Sequence, residues 1–199
     1  MHALYQWLLF SIWSKLVVIR LDLGYESHLN ANIEDVQRDF KKFYTNARHN
    51  RIFNHLGGYI LKIEYGIKKK LHLYLILFFN GNKREGRSDV HLARQIGEYW
   101  VNVITQGQGW YWNCNDEKEK KYRWVGIGLV KAKEMDKRKN LLRAVKYPCK
   151  KKIQVIKPLS NPKGLIPKKK LNLGNKRREE SDFDFSKISD DLEIEVIKN

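Results

Sequence analysis

Hydrophobic periodicity predicts both strands and helices in the first half of the chain. The β-branched and then alternating run at 16–23 predicts a strand. Over 33–46, apolar residues recur every three or four positions, which predicts a helix, and Asn32 is a suitable N-cap. Two more alternating runs, at 59–65 and 71–79, are joined by a short connection and predict a hairpin. The second run ends in residues that are apolar on both faces, which is typical of a central strand.

The second half of the chain continues with further helices and strands. Residues 89–104 have an apolar side with helical spacing, 124–130 have the composition of a strand, and 135–146 predict a last helix. The glycine pair within 55–58 predicts a break before the hairpin, while 107–113 form an aromatic segment punctuated by glycine. The resulting order is strand, helix, hairpin, helix, strand, helix. This order predicts an α+β fold in which helices flank a mainly antiparallel central sheet.

Length and composition predict one folded domain followed by a tail. The chain has 199 residues, of which 42% are hydrophobic, and this is enough for one core of ordinary size. We assign 1–155 to the folded domain. The remainder, 156–199, has few apolar residues at any period, so we expect a basic extended arm that ends in a disordered acidic tail.

The beginning of the chain and its two cysteines favour a cytosolic protein. The apolar stretch at 3–13 is 11 residues long, whereas a membrane span needs about 20. It also lacks the basic residues that precede the apolar part of a secretory signal, so we interpret it as a buried start of the domain. Cys114 and Cys149 are too few for a disulfide framework and lack zinc-finger spacing. We therefore expect a cytoplasmic protein without a membrane partner.

Strong positive charge points to a polyanionic partner. The formal net charge is +17 at pH 7. Residues 131–178 carry 18 Lys and Arg against two acidic residues, and 179–199 carry eight acidic residues against two Lys. A basic segment followed by an acidic end is typical of a nucleic-acid-binding surface with a solvated tail. The alternative is a soluble basic protein without a nucleic-acid partner.

The predicted hairpin brings together side chains that are able to hold a metal ion. In a strand, residues two apart lie on the same face, so His72 and Tyr74 project together. The five-residue connection centred near Lys68 brings Glu64 opposite His72. A carboxylate and an imidazole can hold Mg²⁺ or Mn²⁺, with water completing the coordination. The alternative is a histidine and a glutamate on a solvated face of the sheet.

A tyrosine near the end of the predicted domain is a candidate nucleophile. A phenolate can attack phosphorus and remain linked to it as phosphotyrosine. The phenol pKa is about 10, so a positive environment must favour the ionised form. Lys150 follows Tyr147 by three residues, and Lys146, Lys151 and Lys152 add positive charge. The alternative is an ordinary helix tyrosine among basic surface residues.

Aromatic and basic residues elsewhere predict further contacts with DNA. Trp110 and Trp112 have ring faces on which unpaired bases can stack, although such residues more often pack in a core. The basic triplet Lys168, Lys169 and Lys170 in the arm favours binding to phosphates. These residues extend the predicted DNA-binding surface beyond the hairpin.

Several motifs occur in a defined order along the chain. They are LVVIRLDLGY at 16–25, GYILKIEYGIKKKLHLYLILFFNG at 58–81, ARQIGEYW at 93–100, GQGWYWNCN at 107–115, GIGLV at 126–130 and YPCKK at 147–151. Together they resemble the inovirus-type replication initiators of the YagK/YfjJ C-terminal domain family, relatives of the filamentous-phage gene II protein. The resemblance spans about 140 of the 199 residues, and an ordered set of motifs is more specific than any one of them.

The resemblance implies a rolling-circle replication initiator of the His-hydrophobe-His endonuclease class. Such proteins have an antiparallel sheet flanked by helices. They nick one DNA strand with a tyrosine, keep the 5′ phosphate and free a 3′ hydroxyl for a polymerase. Carried over to this chain, Tyr147 is the nucleophile, Lys150 assists it, and His72 and Glu64 are metal ligands. The implied partners are single-stranded or supercoiled origin DNA and a host helicase or polymerase, in the cytoplasm of a bacterial host.

Two positions depart from the family pattern. Tyr74 replaces the second histidine of the family strand, and a phenol is a poor ligand for Mg²⁺ unless it ionises. The metal site is then weakened, completed by His91 or Asp22, or inactive, and Asp22 otherwise caps a turn. Pro148 disfavours a helical conformation of Tyr147. The sequence thus leaves three hypotheses: an active nicking enzyme, a catalytically impaired relative that binds DNA, and an unrelated basic RNA-binding domain.

Overall fold

The computed structural model describes residues 13–66, 70–84 and 88–146, and it confirms the predicted α+β class. The strands are β1 Lys15–Tyr25, β2 Leu56–Gly66, β3 Lys70–Asn80, β4 Gly109–Asn113 and β5 Gly128–Lys131. Within the described ranges, these five strands form one antiparallel sheet in the order β2–β3–β1–β4, and β5 also pairs with β1. The proposed arm and tail at 156–199 lie outside the described residues.

Helices flank this sheet. They are α1 Ile33–Ala47, α2 Asp89–Tyr99, α3 Lys118–Lys121 and α4 Met135–Lys146, with a 3₁₀ turn at Arg51–Phe53 and a π-helical turn at Trp100–Ile104 that extends α2. The predicted cap is confirmed, because Asn32 Oδ1 accepts a hydrogen bond from Asp35 N at 2.9 Å. Across the described ranges, none of the helices combines the length and the apolar composition needed to cross a bilayer.

Alternation along the strands gives the sheet two different faces. The first face is apolar throughout its centre, where Val17, Ile19 and Leu21 of β1 belong to one buried cluster with residues of α1 and α2. The second face has a smaller buried cluster, which includes Leu141 and Val145 of α4 and the strand residues Leu16, Val18, Ile60, Ile76 and Phe78. The next positions on this face, such as Arg20 of β1 and Tyr74 of β3, are polar. We call this region the polar half of the second face.

Buried Asn115 joins the two strands that share one edge of β1. β4 pairs with residues 21–25 of β1 and β5 pairs with residues 15–18, which leaves a short gap between them. The Asn115 carboxamide occupies this gap: Oδ1 accepts from Arg20 N at 2.8 Å, and Nδ2 donates to Val18 O at 2.9 Å. The side chain therefore substitutes for a strand partner and satisfies two backbone groups of β1.

The predicted break at 55–58 is wrong, because most of that segment belongs to β2. A bulge lies between Leu56 and Gly58 in the pairing of β2 with β3. At Gly57 an added Cβ would overlap the ring of Trp13. The glycines therefore serve a bulge and the close approach of an aromatic ring rather than a turn.

The chain between β4 and α4 differs most from the prediction. The aromatic segment contains β4, and the strand predicted at 124–130 is wrong at its start because β5 begins only at Gly128. Gly126 lies against the backbone of α4, where an added Cβ would overlap the helix. Val125 O also accepts a hydrogen bond from Asn140 Nδ2 at 3.4 Å. The residues before Gly128 therefore pack on α4 instead of extending the sheet.

Candidate functional site

Two rows of side-chain positions cross the polar half of the second face. The first row consists of Glu64, His72, Gly24 and Trp110, from β2, β3, β1 and β4 in turn. The second row consists of Lys62, Tyr74, Asp22 and Trp112 from the same strands. The predicted register of the hairpin is confirmed, since Glu64 and His72 are direct partners. Their role as metal ligands stays a prediction.

His72 is buried, and the backbone orients its ring. Nδ1 lies 3.2 Å from Lys70 O. This hydrogen bond favours the tautomer that has its proton on Nδ1, an assignment inferred from the contact itself. Nε2 then carries the lone pair and lies 3.7 Å from Glu64 Oε2. Metal-binding histidines commonly have this arrangement, in which a carbonyl holds one ring nitrogen and leaves the other for the metal.

Glu64 has a second partner that was not predicted. Lys62 lies two residues earlier on β2, and its Nζ forms an ion pair with Glu64 Oε1. The lysine side chain is 12% exposed and the glutamate side chain 26% exposed, so the pair is largely shielded from water. The ammonium offsets the charge of the carboxylate, and a divalent cation must compete with it. The alternation of β2 could have predicted the Lys62–Glu64 ion pair, because residues two apart in a strand lie on the same face.

The carboxylate of Glu64 and the imidazole of His72 are donor types that Mg²⁺ or Mn²⁺ accepts, and two such donors would leave the remaining coordination positions to water or other ligands. Within the residues that the structure describes, no group of three or more His, Cys, Asp or Glu side chains is suited to holding a metal ion. His91 does not join the pair, because it is exposed on α2 and that helix packs on the first face. The hairpin therefore suggests two protein ligands, Glu64 and His72, and Tyr74 lies beside them.

Tyr74, two residues after His72 on β3, contacts both His72 and a cation. Its ring centroid lies 5.1 Å from that of His72, with the rings edge to face. Arg20 Cζ lies 5.7 Å from the Tyr74 centroid and 5.8 Å from the Tyr122 centroid. Arg20 is therefore packed against two aromatic rings. One of them, the ring of Tyr74, also contacts His72.

Asp22 lies inside β1, so the expectation that it caps a turn is wrong. Its carboxylate is buried, lies 3.8 Å from Arg20 Nη2, and accepts a hydrogen bond from Cys114 Sγ at 3.6 Å. In the sheet it is paired with Tyr74, one row away from His72. These contacts assign Asp22 to a cluster around the arginine rather than to the two metal donors.

Two further ionisable groups on this face stay protonated at neutral pH. Burial, together with the negative charge of Asp22, raises the pKa of the Cys114 thiol to about 11. Burial also raises the pKa of the Tyr122 phenol, and the neighbouring thiol adds to the effect. Neither group is therefore a ready nucleophile at neutral pH, although both lie near Arg20.

The two tryptophans predicted to stack on bases lie in different environments. Trp110 is half-buried over Gly24, where an added Cβ would overlap its ring, and its Nε1 donates to Tyr25 O at 2.8 Å. Trp112 is 51% exposed, and Lys121 Nζ lies 4.8 Å from its ring centroid. Trp112 thus has an accessible ring beside a cation, whereas Trp110 is packed on the sheet.

The predicted nucleophile follows the last described helix directly. α4 ends at Lys146, and it packs through Leu141 and Val145 on the second face, which also carries His72. The Lys146 side chain and the residues Tyr147, Lys150, Lys151, Lys152, Lys168, Lys169 and Lys170 lie outside the described part of the chain. The last described helix therefore lies on the same side of the sheet as His72, and Tyr147 follows that helix in sequence.

The polar half of the second face combines two metal-compatible donors, a shielded arginine and an exposed tryptophan. Carboxylate and imidazole donors suit a cation bound to a phosphodiester, the guanidinium suits a phosphate, and the indole suits an unpaired base. No protein-family model, curated protein or solved structure matches this chain.

Proposed function

We propose that this protein is a rolling-circle replication initiator that nicks one strand of origin DNA and holds the new 5′ end covalently. The observation that carries the proposal is the direct pairing of Glu64 with His72 on the same sheet face as α4, the helix that leads to Tyr147. The order of the sequence motifs and the net charge of +17 support it. Its partners are single-stranded or supercoiled origin DNA and a helicase or polymerase, in the cytoplasm of a bacterial host.

The proposed reaction is a transesterification at phosphorus. The Tyr147 phenolate oxygen attacks the scissile phosphate, a bond from phosphorus to the tyrosine oxygen forms, and the bond from phosphorus to the 3′ oxygen breaks. The 3′ oxygen takes up a proton and leaves as a hydroxyl, while the 5′ phosphate stays on the tyrosine. Rejoining reverses these steps, and neither direction consumes an oxidant or a reductant.

The residues of the polar half have roles that suit this reaction. His72 and Glu64 would hold Mg²⁺ or Mn²⁺, which would supply Lewis-acid polarisation of the phosphate and offset charge on its oxygens. Arg20 binds a neighbouring phosphate of the same strand, since its guanidinium lies beside Tyr74 on this face. Lys150, which follows α4 in sequence and lies outside the described residues, has the proposed role of favouring the ionised form of the Tyr147 phenol.

The proposal predicts a covalent adduct between protein and DNA. Full-length protein is incubated with Mn²⁺ and with single-stranded or supercoiled phage origin DNA, and the products are separated by denaturing electrophoresis. We expect an adduct that Tyr147→Phe abolishes and His72→Ala strongly reduces. Tyr65→Phe is the matched control, because Tyr65 is an exposed tyrosine elsewhere in β2, and it should leave the yield unchanged. An adduct that persists in Tyr147→Phe contradicts the proposal.

Two features of the hairpin favour a second candidate function, DNA binding without cleavage. Lys62 is paired with Glu64, and Tyr74 replaces an imidazole, so both features weaken the binding of a cation. A protein of this kind binds DNA with steep salt dependence and without a metal requirement. Tyr74→His would then make nicking appear where the wild type has none. Efficient nicking by the wild type excludes this candidate.

A further inference from the structure

Trp124 is an exposed aromatic residue with two cations against its ring. It lies in the segment between α3 and β5, and it is 50% exposed. Arg123 Cζ lies 4.7 Å from its ring centroid, and Arg143 Cζ of α4 lies 4.9 Å from it. Among the residues that the structure describes, neither guanidinium forms an ion pair with a carboxylate. Arg143 Nη1 donates a hydrogen bond to neutral Asn140 Oδ1 at 3.0 Å. Two positive charges without a carboxylate partner in the described ranges therefore border an accessible indole.

This group is adjacent in sequence to residues that contact the polar half of the second face. Tyr122, two residues before Trp124, lies 5.8 Å from Arg20, which in turn lies 5.7 Å from Tyr74. Lys121, at the start of the same short stretch, contacts the exposed ring of Trp112. Residues 121–124 thus contribute aromatic rings and cations both to the polar half and to the side of α4.

Alternating rings and cations suit an unpaired nucleic-acid strand. Each base has a flat face that stacks on an aromatic ring, and each phosphate needs a positive charge within reach. A duplex has the same phosphates but hides the base faces inside its stack. Gly126 and the Asn140–Val125 hydrogen bond already hold the segment before β5 against α4. The exposed half of the Trp124 side chain is not needed for that contact.

We propose that Trp124, together with Arg123 and Arg143, forms a base-stacking site for an unpaired DNA strand that passes the metal donors. The identity of the strand as DNA rests on the proposed nicking function. A base stacks on the exposed part of the indole, and the guanidiniums bind the flanking phosphates. The site positions the strand outside the reacting centre, so it contributes to binding and not to the chemical step.

Equilibrium binding of labelled oligonucleotides to the full-length protein tests this site. Fluorescence anisotropy is measured in the presence of EDTA, so that no metal-dependent cleavage takes place. Trp124→Ala should weaken binding of oligothymidylate by about tenfold, which corresponds to one stacked base, and should change binding of a duplex of equal length by less than about twofold. Tyr65→Ala removes an exposed aromatic ring elsewhere and should leave both affinities unchanged.

Two further variants separate stacking from charge and from folding. Trp124→Phe keeps a smaller ring and should show an intermediate loss, while Arg143→Gln should lower the slope of log affinity against log salt by about 1. Thermal unfolding of Trp124→Ala should match that of the wild type, since the residue is half exposed. Equal losses for oligothymidylate and duplex, or a loss confined to hairpin RNA, would overturn the proposal.

The outcomes for this site and for nicking are distinguishable. If the wild type forms a DNA adduct and Trp124→Ala binds oligothymidylate normally, the stacking site is wrong and the nicking function stands. If the wild type forms no adduct and Trp124→Ala still selectively loses single-strand binding, the nicking function is wrong and the stacking site stands.

Discussion

Glu64 Oε2 lies 3.7 Å from His72 Nε2 across the β2–β3 pair, while Glu64 Oε1 is held by Lys62 of the same strand. The Glu64 carboxylate therefore contacts two groups. The His72 imidazole is able to bind a metal ion, whereas the Lys62 ammonium would oppose the binding of a cation. Under the proposed function, the affinity for a divalent cation would depend on the balance between these two groups. Substitutions at Lys62, or at Tyr74 beside the imidazole, should shift that balance in a measurable way.

Replacing Tyr74 with histidine should tighten Mn²⁺ binding by about tenfold, or about 1.4 kcal/mol. A neutral imidazole is a better ligand than a protonated phenol, and Tyr74 lies on the same face as His72 with its ring 5.1 Å away. Isothermal titration calorimetry of Tyr74→His against the wild type measures the change. Tyr74→Phe removes only the hydroxyl and should alter the affinity by less than about twofold. A Tyr74→His protein with wild-type affinity would show that this position does not reach the metal.

Replacing Lys62 with methionine should also tighten Mn²⁺ binding, by several-fold. The substitution keeps an apolar stem of similar length and removes the ammonium that competes for Glu64. Electron paramagnetic resonance of the free Mn²⁺ fraction gives the affinity. Lys121→Met removes a lysine that lies beside Trp112 instead, and it is the control that should have no effect. Weaker metal binding in Lys62→Met would contradict the competition.

Replacing Asn115 with alanine should lower the free energy of unfolding by about 2–4 kcal/mol. The substitution leaves Arg20 N–H and Val18 C=O without the carboxamide that bonds to both in the interior. Urea denaturation followed by circular dichroism measures the loss. Asn82→Ala, at an exposed asparagine, should cost less than about 0.5 kcal/mol. Similar costs for the two substitutions would mean that the gap between β4 and β5 does not need its carboxamide.

Cys114 should make the stability of the fold depend on pH in the alkaline range. Its thiol pKa is about 11 in the folded protein against an ordinary value of 9.0. Because the folded state binds this proton more tightly, the linked stability is intact below pH 9 and falls as the pH rises from 9 to about 11. The full loss is about 3 kcal/mol. Urea denaturation across this range should show a shallower fall in Cys114→Ala than in Cys149→Ala, and equal falls would contradict the assignment.

Local patterns predicted the parts of the site that local geometry determines. Alternation within the hairpin and the length of its connection fix Glu64 opposite His72, so the sequence was sufficient there. The alternation of side chains along β2 could also have predicted the ion pair of Lys62 with Glu64. The contact of Arg20 with Tyr122 joins distant parts of the chain, and the periodicity of hydrophobic residues along the sequence does not predict such packing. β4 was missed for a related reason, since its pairing with β1 is set by tertiary contacts rather than by its glycine-rich composition.

The identity of the amino acid that becomes linked to DNA tests the nicking function most directly. Wild-type protein is treated with Mn²⁺ and single-stranded origin DNA, the adduct is digested with protease and nuclease, and the nucleotide-bearing peptide is sequenced by mass spectrometry. The proposed function predicts a nucleotide phosphate on the Tyr147 oxygen. A linkage to Tyr122 or Tyr74, or nicked DNA without any nucleotide-bearing peptide, would contradict it.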